Sequence, residues 1–331
     1  MTLRDAHFIT GLAVLLVASI SAAGQVPSLA AKPAASAPNS KTWTQSRTPD
    51  GQPDLQGVWT NATNRPFERP KELGAKEFYT QQEAAELAKK GFVGDRGAPQ
   101  EVHYDFSQYG MDALQVKFAQ NLRTSIVVGP EGRVPAMTPE GIRRNAERAA
   151  LAKGHELDGP ENRSLMERCI VYGAQEGPPM LPPMYNNNME IVQGPGYVAI
   201  FNEMYHDVRA IPLDGRAHLP QNIRQWRGDS IGHWEGNTLV VDTTNFTDKT
   251  PFHGSSEHLH VIERFTRTGK DTILYQFTLD DPHTWEKPWS GELAMGPANG
   301  QIFEFACHEG NYGLPDILRG ARVKEAAAEK R

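Results

Sequence analysis

Apolar and polar residues alternate over many short segments in the second half of the chain, which is the pattern of half-buried β-strands. The segments that alternate in this way are 188–193, 196–202, 206–212, 237–244, 257–267, 271–280 and 301–306. Turn signals separate them, among them Gly194-Pro195-Gly196, Asp214-Gly215, Gly236-Asn237 and Gly269-Lys270. Closely spaced strands joined by tight turns predict an antiparallel β-barrel or sandwich.

Two helices are predicted in the N-terminal half. Thr80 and Glu83 have capping-box spacing, and good helix formers follow them up to Gly91. Thr138 precedes a proline, so it is a typical N-cap of a second helix that continues to about Lys153.

Shorter signals complete the predicted domain. Residues 53–60 predict a first strand, and residues 124–128 predict another. The chain is therefore predicted to be mainly β, with one barrel domain over residues 49–325 and helical insertions in its N-terminal half, at about 75–168.

The N-terminus has the pattern of a secretory signal peptide. Arg4 precedes an apolar run at 8–20, and small residues up to Gly24 predict cleavage near Ala23. Residues 24–48 are rich in Ala, Pro and Ser, and predict a flexible tether.

This reading makes residues 1–23 a signal peptide and predicts a periplasmic or secreted bacterial protein. A buried N-terminal helix is the alternative. The first apolar run is short for a transmembrane span, and no later segment is apolar for long enough, so no stable membrane insertion is predicted after signal cleavage.

Composition changes this picture little. The chain has 331 residues, of which 39% are hydrophobic and 22% charged, which is enough apolar material to bury a core. The net charge is -6 and no dense cluster of Lys and Arg occurs, so no nucleic-acid partner is predicted.

Cys169 and Cys307 are the two cysteines of the chain. In an oxidising compartment they predict one disulfide between the middle of the chain and its C-terminal part. Two inert thiols, or a nucleophile beside His308, are the alternatives.

Polar and aromatic side chains occupy positions where a solvated strand would carry Lys, Arg and Glu, most clearly over residues 232–246. Such a composition favours contact with a small-molecule ligand, although asparagines in turns and buried tryptophans also have purely structural uses. The residues predicted to bind a ligand are Tyr185, Asn186, Asn187, Asn188, Trp234, Asp242, Asn245, His260, Gln276, Trp285, Trp289, Glu309, Asn311 and Tyr312.

Two segments predict acid/base chemistry. His308 lies in a Gly-containing loop and titrates near neutral pH, although a structural turn explains the same residues. Glu203 and His206 join two apolar strands and form a second acid/base couple, while Arg209 either pairs with Asp207 or holds a developing negative charge.

The hairpin around Gly269-Lys270 is predicted to have a two-residue turn, which pairs Glu263 with Gln276 and Arg264 with Tyr275. If the Glu263 face points inward, a barrel cavity contains a carboxylate. If the other face points inward, Glu263 is solvated. The mixed polarity of the Glu263 face favours the first arrangement.

Cofactor and metal signals are weak. His258 and His260 share one side of a strand with His253 nearby, which would suit zinc, but no third ligand is implied by the spacing. The chain has no phosphate loop and no Gly-x-Gly-x-x-Gly dinucleotide fingerprint. No cofactor and no metal are predicted.

The triplet Gly57-Val58-Trp59 is similar to the Gly-x-Trp mark of lipocalins, and this resemblance implies a barrel with a cup for a small apolar molecule. Longer phrases resemble an uncharacterised family of exported bacterial proteins. They are Arg168-Cys169, Tyr185-Asn186-Asn187-Asn188, residues 211–216 and 234–246, Asp280-Asp281-Pro282 with Lys287-Pro288-Trp289, and residues 307–312.

Two functions are consistent with these patterns. The first is an exported, cofactor-independent lyase, isomerase or hydrolase that acts by acid/base chemistry on a small apolar or aromatic molecule in a barrel cavity. In it, His308 or His206 is the base and Glu263 or Glu203 is its acid partner. The second is a carrier of lipocalin type that binds such a molecule unchanged.

Overall fold

A computed structural model describes residues 43–89, 121–171, 177–183, 186–298 and 300–330. The strands are β1 (Gly57–Thr60), β2 (Asn188–Gly194), β3 (Tyr197–Asn202), β4 (Asp207–Pro212), β5 (Asp229–Glu235), β6 (Thr238–Thr244), β7 (His260–Gly269), β8 (Thr272–Asp280) and β9 (Trp289–Pro297). The α-helices of these residues are α1 (Gln81–Lys89), α2 (Pro139–Ala152) and α3 (Gly313–Ala328).

The nine strands form one antiparallel sheet in the order β4-β3-β2-β1-β9-β8-β7-β6-β5. Its two end strands approach each other, and Arg209 Nη2 on β4 donates a hydrogen bond to Ser230 Oγ on β5 at 3.2 Å. The sheet is therefore a nearly closed barrel, compatible with a lipocalin-like fold. The predicted mainly-β barrel is confirmed.

Side chains fill the barrel. Val261, Phe265 and Tyr275 point inward and have no exposed surface. A void large enough for water would expose some of the surface that borders it, so these residues line no such void. The open cup that the lipocalin resemblance implies is therefore absent around these residues.

Part of this filling comes from residues 177–181, all of which are buried. Met180 is 1% exposed, and its backbone N–H donates a hydrogen bond to the Tyr275 hydroxyl at 2.7 Å. Asn61 Nδ2 donates to the Met180 carbonyl at 3.3 Å. The segment thus packs into the barrel interior.

Both predicted helices are confirmed. Thr80 and Glu83 form the reciprocal capping box of α1, with bonds of 3.2 Å from Glu83 N to Thr80 Oγ1 and 2.8 Å from Thr80 N to Glu83 Oε2. Thr138 caps α2 by accepting a bond from Gly141 N at 3.0 Å.

Other expectations were wrong. Residues 301–306 form no strand, and residues 124–128 contribute an isolated bridge from Val127 to Gly291. Strand β9 was not predicted because it contains two glycines and ends in proline, which are typical of turns. Gly291 is needed there, since a Cβ would lie 2.1 Å from Cζ of Phe277, its partner on β8.

The predicted register of the β7–β8 hairpin is also wrong. A β-bulge between Arg267 and Gly269 shifts the pairing by one residue, so Glu263 pairs with Phe277 and Phe265 pairs with Tyr275. Because successive side chains alternate between faces, the shift turns Tyr275 inward while the Glu263 face of β7 stays inward.

The disulfide between Cys169 and Cys307 is confirmed, with a Cα–Cα distance of 5.8 Å. Among the described residues, no helix is both long and apolar enough to span a membrane. The predicted signal peptide (1–23) and most of the predicted tether (24–48) lie outside the described residues. At the end of the tether, Arg47 Nη2 donates a bond to Asn237 Oδ1 at 3.3 Å.

Candidate functional site

A charged group lies inside the barrel. Arg209 of β4 donates two hydrogen bonds to Glu263 of β7, from Nη1 to Oε1 at 3.1 Å and from Nη2 to Oε2 at 2.5 Å. Tyr275 of β8 donates its hydroxyl hydrogen to Glu263 Oε1 at 2.7 Å. Alternation along each strand places all three residues inward.

This group is closed to solvent. The side chains of Arg209 and Glu263 are 4% and 0% exposed. Burial, followed by the Glu263 charge, raises the pKa of Tyr275 well above its usual value, so the phenol keeps its proton. Two predicted catalytic residues therefore meet, but as a buried ion pair that no molecule in solution reaches in this conformation.

A second cluster lies on the outer face of the barrel. His260 Nε2 contacts Asp242 Oδ1 at 2.9 Å, and His218 Nε2 contacts the same oxygen at 3.1 Å. His218 Nδ1 lies 2.9 Å from Asp229 Oδ2. The fold thus brings together the predicted residues Asp242 and His260. His218 and Asp229 were not predicted, because His218 reaches the cluster from a loop without periodic pattern.

Hydrogen bonds and neighbouring charges shift the pKa values of His260 and Asp242 in this cluster. The hydrogen bond with Asp242 raises the pKa of His260, against partial burial, and the Asp242 and Asp280 charges act in the same direction. Burial acts to raise the pKa of Asp242, but the hydrogen bonds and charges of His260 and His218 outweigh it and lower that pKa. Both charged forms are therefore stabilised in the folded state.

Replacing His260 with asparagine is expected to lower the free energy of unfolding, and to do so most near pH 5. The expected loss is only about 1 kcal/mol, because the side chains of His260 and Asp242 are both partly exposed. A raised histidine pKa stabilises the fold fully below about 6.5, the unfolded value. The stabilisation disappears as the pH rises through the folded pKa of His260. It also disappears as the pH falls through the lowered pKa of Asp242.

Urea unfolding of wild type and His260→Asn at pH 5 and pH 9 measures this effect. His233→Asn is the matched control, because His233 is an exposed histidine on β5 that contacts Glu235 at 3.2 Å. An equal loss from His260→Asn at both pH values would contradict the expected linkage.

Glu203 and the asparagine run meet outside the barrel. Glu203 is 3% exposed, and its Oε2 accepts a bond from Asn188 Nδ2 at 2.6 Å. Its Oε1 accepts a weaker bond from Phe303 N at 3.4 Å. Asn187 is buried beside this contact and Asn186 has a positive φ of 55°, while Tyr185 lies outside the described residues.

The C-terminal loop is anchored rather than enclosed. Asn311 Nδ2 donates to the Glu167 carbonyl at 2.7 Å and lies 3.4 Å from Cys169 Sγ. His308 and Glu309 are exposed, and Tyr312 is 75% exposed. This loop does not bring His308 to Glu263, which is enclosed in the barrel.

The other predicted residues are spread over the barrel. His206 is exposed, with its ring edge-on to Phe201 at 4.6 Å. Asn245 Nδ2 donates to the carbonyls of Leu219 and Pro220, and so holds the loop before β5. Trp289 belongs to the buried core and Trp234 packs against it, whereas Gln276 lies on the outer face and donates to Glu292 at 2.9 Å.

Trp285 borders a surface pocket of about 410 Å³. The pocket lies where the β6–β7 and β8–β9 connections meet the loops of the N-terminal half. Its lining consists of Phe67, Glu68, Val134, Pro135, Met137, His253 and Trp285. Five of these seven residues are apolar, while Glu68 and His253 are polar. Concave sites that combine apolar walls with a few polar groups are typical of small-molecule binding.

His253 is the titratable ring of this pocket. It stacks on Phe67, with ring centroids 4.8 Å apart and planes 5° from parallel. The loss of hydration on the covered face lowers the pKa of His253, against the opposing charge of Glu68. The imidazole is therefore neutral, and able to accept a proton, at pH 7.

Backbone and hydrogen bonds hold the two polar groups in place. His253 has a φ of 47° and a ψ of 38°, a left-handed conformation that is unusual for a residue with a side chain. Glu68 Oε1 accepts a bond from Val134 N at 2.9 Å, and Oε2 accepts one from Arg133 Nη1 at 3.3 Å.

The pocket was not predicted as a unit. Its lining comes from four separate stretches of the chain, around residues 67, 135, 253 and 285, and no local spacing relates them. His253 was considered only as a zinc ligand, and among the described residues no group of three metal-binding side chains is suitably arranged. One weak signal was present in the sequence: several prolines lie near Phe67 and Val134, and they predict loops there.

No protein-family model, curated protein or solved structure matches this chain. The proposed function therefore rests on the geometry of the pocket.

Proposed function

We propose that this protein is an exported, cofactor-independent enzyme that acts by acid/base chemistry on a small, flat, apolar or aromatic molecule. The molecule binds in the pocket beside His253, and the reaction is that of a lyase, isomerase or hydrolase. The observation that carries the proposal is the His253 imidazole, stacked on Phe67 at the wall of a pocket with five apolar lining residues, where burial lowers its pKa.

Three features support His253 as the general base. Its lowered pKa keeps it unprotonated at neutral pH. The parallel contact with Phe67 and the left-handed backbone orient the ring. The carboxylate of Glu68 stabilises the imidazolium that forms when the base accepts a proton, since opposite charges attract across the pocket wall.

The pocket replaces the barrel cavity as the place of reaction. Glu263 and Arg209 are enclosed with Tyr275, and a substrate would have to displace the packed segment 177–181 to reach them. The pocket opens to solvent and needs no such rearrangement.

Replacing His253 with glutamine is expected to lower turnover by about 10²- to 10⁴-fold while ligand binding is retained, because the substitution removes the base but keeps a polar side chain. The test incubates the purified protein with extracts of aromatic, terpenoid and polyketide metabolites and detects products by mass spectrometry. With a substrate identified, the acid limb of the pH–rate profile is expected below about pH 6.5, the ordinary histidine value.

His308→Gln and His206→Gln are the matched controls, because both histidines are exposed and lie outside the pocket lining. They are expected to retain turnover. Full turnover by His253→Gln would contradict the proposed base. Loss of turnover in either control would then identify a different histidine as the base. Retention of an unchanged compound by every variant would instead identify a carrier, the second function that the same pocket supports.

The proposal includes export from the cell and membership of the uncharacterised family of exported bacterial proteins that the sequence resembles. The apolar run at residues 8–20 supports a signal peptide, and the Cys169–Cys307 disulfide is expected in an oxidising compartment. Recovery of a chain that begins at Gly24 from the periplasm of an expressing bacterium would test the cleavage.

A further inference from the structure

A buried hydrogen-bond donor lies at the wall of the pocket. Trp285 is 2% exposed, and its indole Nε1 has no hydrogen-bond acceptor among the described residues. Buried N–H groups in folded proteins are nearly always paired, because an unpaired one has lost its water without a replacement. The unpaired Nε1 therefore needs an explanation.

Another buried tryptophan of this chain shows the usual arrangement. Trp59 is 3% exposed, and its Nε1 donates to the Leu55 carbonyl at 2.9 Å. Trp234 and Trp289 also have an unpaired Nε1, but neither lines the pocket. Trp289 packs among Phe67, Phe252 and Phe277 and lies edge-on to Trp285, with ring centroids 5.6 Å apart. Trp285 is the unpaired indole of the described residues that borders the pocket.

We infer that the pocket takes a flat apolar molecule that carries a carbonyl oxygen, and that Trp285 Nε1 donates a hydrogen bond to this oxygen. The inference rests on the proposed function and specifies its substrate class. Nε1 has less than 1 Å² of exposed surface, so the proposed bond requires a shift of the neighbouring Met137, whose side chain is unbranched and partly exposed.

The charges of the pocket favour a neutral acceptor. Among the described residues, the pocket lining contains no Lys or Arg, and its carboxylate, Glu68, is already paired with Arg133 at 3.3 Å, so the lining offers no cation to an anionic ligand. Both oxygens of Glu68 already accept hydrogen bonds, from Val134 N and Arg133 Nη1, so the site makes little use of a ligand hydroxyl as a donor. A ketone or aldehyde oxygen accepts a bond without bringing either a charge or a donor.

The same contact suits proton transfer. When His253 removes a proton from the carbon next to the carbonyl, the C–H electron pair forms a C=C bond, the C=O π pair moves onto the oxygen, and the proton stays on the imidazole. Trp285 Nε1 stabilises the negative oxygen. In a ligand with a C=C bond next to that carbon, return of the proton to the far end of the conjugated system gives an isomer, with no oxidant, reductant or second substrate.

Calorimetry with a matched pair of ligands tests the inference. The probes are 2-acetylnaphthalene and 2-ethylnaphthalene, which share a skeleton and differ by the carbonyl oxygen. The measured quantity is the ratio of their dissociation constants in the full chain, in Trp285→Phe and in Trp234→Phe, the matched control whose Nε1 is also unpaired but lies outside the pocket lining. Melting temperatures verify that each variant is folded.

Loss of the indole N–H is expected to reduce the preference for the ketone about fivefold to tenfold in Trp285→Phe. Trp234→Phe is expected to keep the wild-type ratio. An unchanged ratio in Trp285→Phe would overturn the donor while leaving the proposed function in place. Failure of wild type to bind either compound would overturn the proposed apolar site and the inference with it. If Trp285→Phe does not fold, a wild-type ratio that shows no preference for the ketone overturns the donor.

Discussion

Replacing Arg209 with methionine is expected to lower the free energy of unfolding by about 3–5 kcal/mol. The substitution leaves the Glu263 carboxylate inside the barrel, 0% exposed, with the Tyr275 hydroxyl as its remaining donor. A buried charge without its partner costs far more than a surface charge, because no water solvates it. Urea unfolding at pH 7 measures the loss.

A double variant separates the ion pair from the space that it fills. Arg209→Met with Glu263→Leu removes both charges and keeps much of the volume, so it is expected to be more stable than Arg209→Met alone. A double variant less stable than Arg209→Met would show that the carboxylate stabilises the fold through contacts other than the ion pair.

The second large effect concerns the disulfide. Replacing Cys169 and Cys307 together with serine is expected to lower the free energy of unfolding by about 2–5 kcal/mol, since the bond restricts the unfolded chain over a separation of 138 residues. In the folded state the bond holds the C-terminal loop next to Glu167, where Asn311 donates to a backbone carbonyl.

Dithiothreitol supplies the control for this prediction. Wild type unfolded in the presence of the reductant should match the double-serine variant, and the variant itself should be insensitive to it. If the reductant destabilises the variant as much as wild type, the measured loss does not come from this bond.

The position of the proposed base illustrates how distant segments make a site. His253 follows Phe252 in the middle of the β6–β7 connection, while Phe67 lies in the loop after β1. Neither residue has a local pattern that points to the other. Their parallel rings, 4.8 Å apart, depend on the barrel bringing two loops to the same end.

The alternation of apolar and polar residues was sufficient to predict most strands of the barrel, because a half-buried strand requires a period of two. Capping residues located α1 and α2 in the same local way, since Thr80 and Thr138 satisfy backbone N–H groups within their own helices. The two cysteines and the oxidising compartment expected for an exported chain predicted the disulfide.

A β-bulge that is visible only in the folded hairpin decided which β8 side chains point into the barrel. One extra residue before Gly269 turned Tyr275 inward. The filling of the barrel depended on segment 177–181, whose apolar residues have no periodicity that places them there. Local sequence thus specifies which segments form strands and helices, because those rules act over a few residues. The buried ion pair, the Asp242–His260 cluster and the aromatic pocket arise from contacts between segments far apart in the chain, so they exist only once the barrel has closed.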